Sequence, residues 1–279
     1  MNKVVYISDY FVDEIIGGGE LNDHELTNIM ISKNIDVLKL KSFNVNLQIL
    51  KSLKSYSFII SNFIGLNKEC IDYITDNIKY VIYEHDHKYL ISRNPALYNN
   101  FIAPSEQIKN YDFYKNCKAI LCQSNLHKNI VFNNLKLNNI FSLSGNLWSE
   151  EILNYIQLIS ENSKNNSFAI LDSHIEHKNT FDAIMFCKHK NYEFCLVKDE
   201  NYKLFLNKLS LNKGLIFFPK TPETLSRLCV EARMLNLQVI TNNFVGASQE
   251  EWFKLKGKDL IDFCRNMRYN IYDIVVSNL

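Results

Sequence analysis

Short runs of β-branched and aromatic residues alternate along the chain with longer stretches of amphipathic pattern. The runs predict strands at 4–7, 37–40, 58–61, 81–83 and 119–122, and the stretches between them predict helices at 20–33, 46–55, 67–77 and 124–134. The pattern then restarts. Strands are expected at 168–171, 194–197, 215–218 and 239–241, with helices at 150–160, 178–188, 202–209 and 224–235 and a helical tail from 258 onward. Continuous apolar strands separated by amphipathic helices indicate parallel sheets covered on both faces. The expected fold class is therefore α/β, with two Rossmann-like doubly wound domains facing across a cleft. The boundary is placed near 144–146, giving domains 1–145 and 146–279, with the C-terminal helix free to return to the first. Ligands of such folds bind at the C-terminal ends of the strands.

Composition narrows the picture. At 279 residues the chain is long enough for two domains, and 47% hydrophobic with 22% charged residues is ordinary for a water-exposed globular protein. A net charge of +1 shows no strongly basic surface for nucleic acid in the total. Seven cysteines, none in a C-x-x-C pair, read as reduced and mostly buried thiols of a cytoplasmic protein. The start "MNKVVYISDYF" leads straight into a strand, and no uncharged apolar stretch reaches ~18 residues, so no spanning helix is expected. The bias toward Asn, Lys and Ile points to an AT-rich genome, bacterial or viral.

Four stretches at predicted strand ends carry chemistry. "SDYFVDEIIGGGELND" places Gly17, Gly18 and Gly19 just before a helix. Glycines let backbone amides approach a ligand, and a helix N-terminus favours an anion. The stretch is neither G-x-G-x-x-G nor a P-loop, and a flexible surface turn is the plainer reading. "YVIYEHDHKYL" breaks an apolar strand into Glu84, His85, Asp86, His87 and Lys88. A histidine beside a carboxylate can move protons or orient a sugar hydroxyl. Zinc on His85, His87 and Asp86 is a rival with no partner cluster elsewhere in the chain, and a solvated loop is another. In "ILDSHIEHKN", Lys178 opens a predicted helix, where it can neutralise a phosphate or simply stand in solvent.

The fourth stretch is "PKTPETLSRLCVEARMLNLQVITNN". Pro222 holds Thr221 extended, and the helix is expected to begin at Glu223 or Thr224. Apolar residues cover most of its circumference, which makes an ionised Glu231 costly unless it is hydrogen-bonded or paired. Eight residues of helix rise ~12 Å, and at ~100° per residue the two glutamates point within about 80° of each other. Two carboxylates flanking a helix N-terminus suit a nucleotide sugar. A salt bridge from Glu231 to Arg227 or Arg233 is the structural alternative.

Over its whole length, and most specifically in Glu223-x7-Glu231, the chain resembles the retaining glycosyltransferases of the GT-B fold, in particular the large glycosyltransferase family 4 (group 1). "GGGE" resembles the family's glycine loop, "YEHD" its histidine-bearing strand end, and Lys178 its phosphate-binding lysine. The resemblance implies an acceptor-side first domain and a nucleotide-sugar-binding second domain. It implies that His85, Asp86 and Glu223 handle the sugar or acceptor. Gly17, Gly18, Gly19, Lys178, Ser173, Thr224, Leu225, Ser226 and Glu231 would bind the donor, with Glu231 on the ribose. No metal and no cofactor are implied, only a UDP- or GDP-sugar as co-substrate. The family commonly has an arginine six positions before the lysine; Asp172 stands there, with Ser173 next, and Lys198, Lys220 or Arg227 are the stand-ins.

The implied reaction transfers a sugar to an acceptor hydroxyl with retention, by same-face attack assisted by the leaving phosphate. A surface glycan or lipid-linked glycan is the expected acceptor, at a cytoplasmic protein that can be peripheral to a membrane. A phage-type enzyme acting on hydroxylated DNA bases is the second reading, and a GT-B module that binds without turnover the third. A dinucleotide oxidoreductase is weakest, since neither half carries G-x-G-x-x-G.

Overall fold

A computed structural model describes residues 3–279. They form two compact units: one runs up to Leu147 and takes back Arg268–Leu279, and the other is Trp148–Met267. The predicted boundary stood two residues earlier.

In the first unit, strands β1 (Lys3–Ser8), β2 (Asp36–Lys41), β3 (Ser57–Ile60), β4 (Lys79–Glu84), β5 (Ile120–Cys122) and β6 (Ile140–Ser142) form one sheet in the order β2-β1-β3-β4-β5-β6. Every pairing is parallel. β3 is buried throughout and β1 is buried after Lys3, as covering both faces requires. The helices are α1 (Gly18–Ser32), α2 (Leu47–Ser52), α3 (Lys68–Asn77), α4 (Tyr111–Asn116) and α5 (Asn125–Leu135). Side-chain caps start three of them: Asn46 accepts from the Ile49 amide, Asn67 from Cys70 and Ser124 from His127. Helix α4 and strand β6 lie outside the predicted elements. Six and three residues are too few to display a period.

In the second unit, β7 (Phe168–Leu171), β8 (Phe194–Val197), β9 (Gly214–Phe217) and β10 (Gln238–Thr241) form a second parallel sheet in the order β10-β9-β7-β8. Around it are α6 (Glu150–Ile159), α7 (Thr180–Lys190), α8 (Tyr202–Ser210) and α9 (Arg227–Met234). Helix α10 (Gly257–Ser277) begins in this unit and ends in the first. There Arg268 pairs with Glu25, and Ser57 Oγ donates to the Leu279 carbonyl at 3.1 Å.

One element differs in a way that matters. The helix expected from 224 begins at Arg227, because Ser226 sits in the left-handed region at φ 74°. Residues 223–225 instead run beside 244–247: Glu223 bridges to Val245 in parallel, its amide donates to the Phe244 carbonyl at 2.7 Å, and its carbonyl accepts from Gly246 at 2.9 Å. Glu223 and Glu231 are therefore not on one helix, and the expected helical span between them does not hold. Among the described residues no helix is long and apolar enough to cross a membrane. Six of the seven cysteines are buried thiols, and Cys195 is half-buried.

Candidate functional site

The sheet of the second unit brings three loops together at its C-terminal edge. Asn179, past β7, donates to the Phe218 carbonyl past β9 at 2.8 Å, and the Lys220 amide donates to the His177 carbonyl at 2.9 Å. The bridge between Glu223 and Val245 ties in the loop past β10. Lys178 lies in the short 3-10 turn before α7, and its Nζ donates to Glu223 Oε1 at 2.7 Å. The lysine side chain is 27% exposed and the glutamate 17%, so the pair borders solvent. Burial lowers the pKa of neighbouring His177, and the Lys178 charge adds to the effect.

Next to this pair stands the head of α9. Its first turn comprises Arg227, Leu228 and Cys229, whose amides point out of the head of the helix. These, and not the amides of Thr224, Leu225 and Ser226 as expected from the sequence, open the helix. The Ser226 hydroxyl is buried with no hydrogen-bond partner among the described residues. Leu225 is fully buried and its carbonyl accepts from Ala247. Ser173 is held by backbone geometry: its amide donates to Thr180 Oγ1 at 3.2 Å and its own Oγ accepts from Ile175.

Glu231 is answered by its partners. It is 2% exposed, and its Oε1 accepts from Trp148 Nε1 at 2.9 Å and from Tyr202 hydroxyl at 2.6 Å. Arg227 Nε lies 3.4 Å from the same oxygen, while its guanidinium stacks 4.4 Å from the Trp148 ring centroid and donates to the Tyr202 hydroxyl. Burial, and after it the Glu231 charge, raises the Tyr202 pKa. This is the alternative weighed from the sequence. It also occupies Arg227, one of the three stand-ins for the missing arginine. Lys220 lies 3.7 Å from Glu176, and the Lys198 carbonyl accepts from Lys208.

In the first unit, the C-terminal ends of β1, β3 and β4 converge on Asp23 of α1. Its carboxylate accepts from Tyr6 at 2.8 Å, from Ser8 at a longer 3.5 Å and from Ser61. His85 Nε2 lies 2.6 Å from Asp23 Oδ1, and Gln123 Nε2 meets His85 Nδ1 at 2.5 Å. An ionised carboxylate only accepts, so Nε2 carries the proton. Both ring nitrogens are engaged, and the ring stacks on Tyr83 at 5.0 Å. In this arrangement His85 has no open nitrogen for proton transfer and can offer a ligand only its ring face and edge. Gly19 faces the His85 ring, and a Cβ there would lie 3.4 Å from it, an ordinary contact. Gly17 caps α1 and Gly18 opens it. The Glu20 carboxylate folds back against Gly17, and burial raises its pKa against the attraction of His85.

Asp86 belongs to a different group. Lys88 is buried and bridges Glu84 at 2.6 Å and Asp86 at 2.8 Å, and Arg93 holds the other oxygen of Asp86. Burial opposes the charge on Asp86, but Lys88 and Arg93 outweigh it and hold its carboxyl well below the ordinary range. The strand-end cluster read as one site is thus divided: His85 turns to Asp23 and Gln123, Asp86 to two cations. Asp23 and Gln123 went unnoticed in the sequence. The signal for Asp23 was a row of buried polar residues in α1, Asn22, Asp23, Glu25 and Thr27, where apolar ones pack by default. Among the described residues no group of three or more His, Cys, Asp or Glu is placed to hold a metal ion. The imagined His85–Asp86–His87 set is split, with His87 Nδ1 meeting Tyr89 hydroxyl at 3.1 Å.

No family model matches the chain, and no curated protein matches it. Solved structures do. HepE of Anabaena in complex with UDP-glucose is similar over 99% of this chain and 95% of its own, with a TM-score of 0.52 at 11% identity. An alpha-glucosyltransferase in complex with UDP and a 13-mer DNA containing an HMU base is similar over 99% and 93%, with a TM-score of 0.51 at 10% identity. The fold is GT-B. Each of its two Rossmann-like domains has a cluster of its own: the N-terminal GT-B domain holds Asp23, His85 and Gln123, and the C-terminal one Lys178, Glu223 and the head of α9.

Proposed function

We propose that the protein is a glycosyltransferase that moves a sugar from a UDP- or GDP-sugar to an acceptor hydroxyl with retention, as in glycosyltransferase family 4, without a metal ion. The observation that carries the reading is the Lys178–Glu223 pair at the C-terminal edge of the second sheet, where the chain leads from Glu223 into the head of α9. A cation and a helix N-terminus suit a diphosphate, and a carboxylate suits sugar hydroxyls. As the bond to the sugar breaks, charge grows on the leaving phosphate, and Lys178 with the N-terminal end of α9 would stabilise it. UDP-glucose bound to HepE, in the same fold, supports a uridine donor. We assign Glu231 to anchoring α9 on Tyr202 and Trp148 in place of the ribose contact implied by the resemblance. His85 would meet the sugar or acceptor as a fixed ring beside Gly19.

For the acceptor we favour a glycan or lipid-linked glycan over DNA, at the cytoplasmic face of a membrane. In the first unit, the loops past β2, β1 and β3 carry exposed Phe43, Tyr10, Ile15, Ile16 and Ile64. Segments 9–17, 42–46 and 61–67 contain no lysine or arginine. A polyanion is gripped by such cations, and their absence here counts against a duplex. Purified protein incubated with UDP- and GDP-sugars tests the donor reading. Donor turnover that survives both Lys178→Ala and Glu223→Ala sinks it, while transfer to hydroxymethylated DNA and none to glycans would reverse the choice of acceptor.

A further inference from the structure

The Lys178–Glu223 pair joins two groups that a donor would use separately. Nζ and Oε1 are 2.7 Å apart, and both side chains border solvent. Each is held from a different loop: Lys178 in the turn before α7, clasped by Asn179 to Phe218, and Glu223 by its bridge to Val245. The carboxylate therefore competes with any phosphate for the lysine. Even screened by solvent, attraction between unit charges in contact is enough to alter affinity by about tenfold.

We propose that Glu223 makes the site select the intact nucleotide sugar over the nucleoside diphosphate it leaves behind; this rests on the donor reading above. An intact donor brings sugar hydroxyls that donate to Glu223, so the carboxylate gains partners as Lys178 turns to the diphosphate. In transfer, the bond from the anomeric carbon to the β-phosphate oxygen breaks with its electron pair on that oxygen. The acceptor oxygen bonds the same carbon and its proton passes to the departing phosphate, then to solvent. The product has lost the hydroxyls of the transferred sugar, and its terminal phosphate, with a second pKa of about 6, carries added charge near neutrality. Glu223 then faces an anion without a donor to satisfy it, and regains Lys178 as the diphosphate leaves. The carboxylate acts against product retention.

The test is calorimetric titration of the wild-type protein and Glu223→Gln with UDP, UDP-glucose, GDP and GDP-mannose at pH 7.5. In Glu223→Gln the diphosphate that binds is expected to bind about tenfold tighter, and its sugar derivative no tighter than before. Lys178→Gln, a second variant in case the first fails to fold, leaves Glu223 without its cation and is expected to weaken the diphosphate more than its sugar derivative. A Glu223→Gln protein that binds the diphosphate equally or more weakly overturns the inference and leaves the donor reading standing. A wild-type protein that binds none of the four overturns both.

Discussion

The Asp23 carboxylate holds His85 from α1: Nε2 stands 2.6 Å from Oδ1, and the hydroxyls of Tyr6, Ser8 and Ser61 point at the same group. Asp23 is 1% exposed, so its carboxylate depends on these partners in place of water. Asp23→Ala is expected to cost about 3–5 kcal/mol in urea unfolding, because the buried donors lose their shared acceptor. Asp23→Asn keeps the shape, is expected to cost less, and frees the His85 ring. A loss below about 1 kcal/mol for the alanine variant would contradict an organising role.

Stability should depend on pH through the buried histidines. Burial lowers the pKa of His87 from 6.5 to about 4, and His127 is lowered for the same reason, with His87 adding repulsion. Between pH 6.5 and about 4 the unfolded chain takes up a proton that folded His87 refuses. Unfolding is favoured as pH falls through that window, and stability rises with pH across it. The loss attributable to His87 is on the order of 3 kcal/mol by pH 4. Urea midpoints from pH 7 to pH 4.5 check this, and His87→Phe should flatten the curve.

Glu231→Ala should destabilise the second unit by about 3–5 kcal/mol, since it strands the Arg227 charge with the Trp148 and Tyr202 donors. Denaturant midpoints read by the fluorescence of Trp148 and Trp252, both in the second unit, measure it. Glu231→Gln, which can still accept from Trp148, should lose less. A folded, equally stable alanine variant with lost nucleotide affinity would return Glu231 to the ribose.

At Gly214, in β9, a Cβ would meet the Phe168 ring at 2.5 Å and the Gln238 carbonyl at 2.8 Å. A ring can shift but a strand backbone cannot yield as far. Gly214→Ala is expected to lower stability by about 1–3 kcal/mol, against a near-neutral Gly19→Ala, whose Cβ finds the His85 ring at 3.4 Å. Paired thermal melts compare the two.

Strands such as β3 and β7 and the helices between them were legible because their apolar periodicity is local. The pairing of Lys178 with Glu223 was half legible: both residues stood out at strand ends, but their contact depends on a strand order that places β9 beside β7. Three features were hidden. The start of α9 depends on one left-handed serine, a conformation that serine does not advertise. The Asp23–His85–Gln123 group is assembled from residues 38 and 62 positions apart. The fate of Glu231 turned on Trp148 and Tyr202, 83 and 29 residues away, and only the Arg227 partner at i−4 lay within reach of a local pattern.

Helix α10 starts in one unit and ends in the other, and this orders assembly in time. Residues 148–267 form a contiguous piece, whereas the first unit draws on both 3–147 and 268–279. On the ribosome the second unit is chemically complete before the first has received Arg268, the partner of Glu25. The earlier-synthesised unit is the one that must wait.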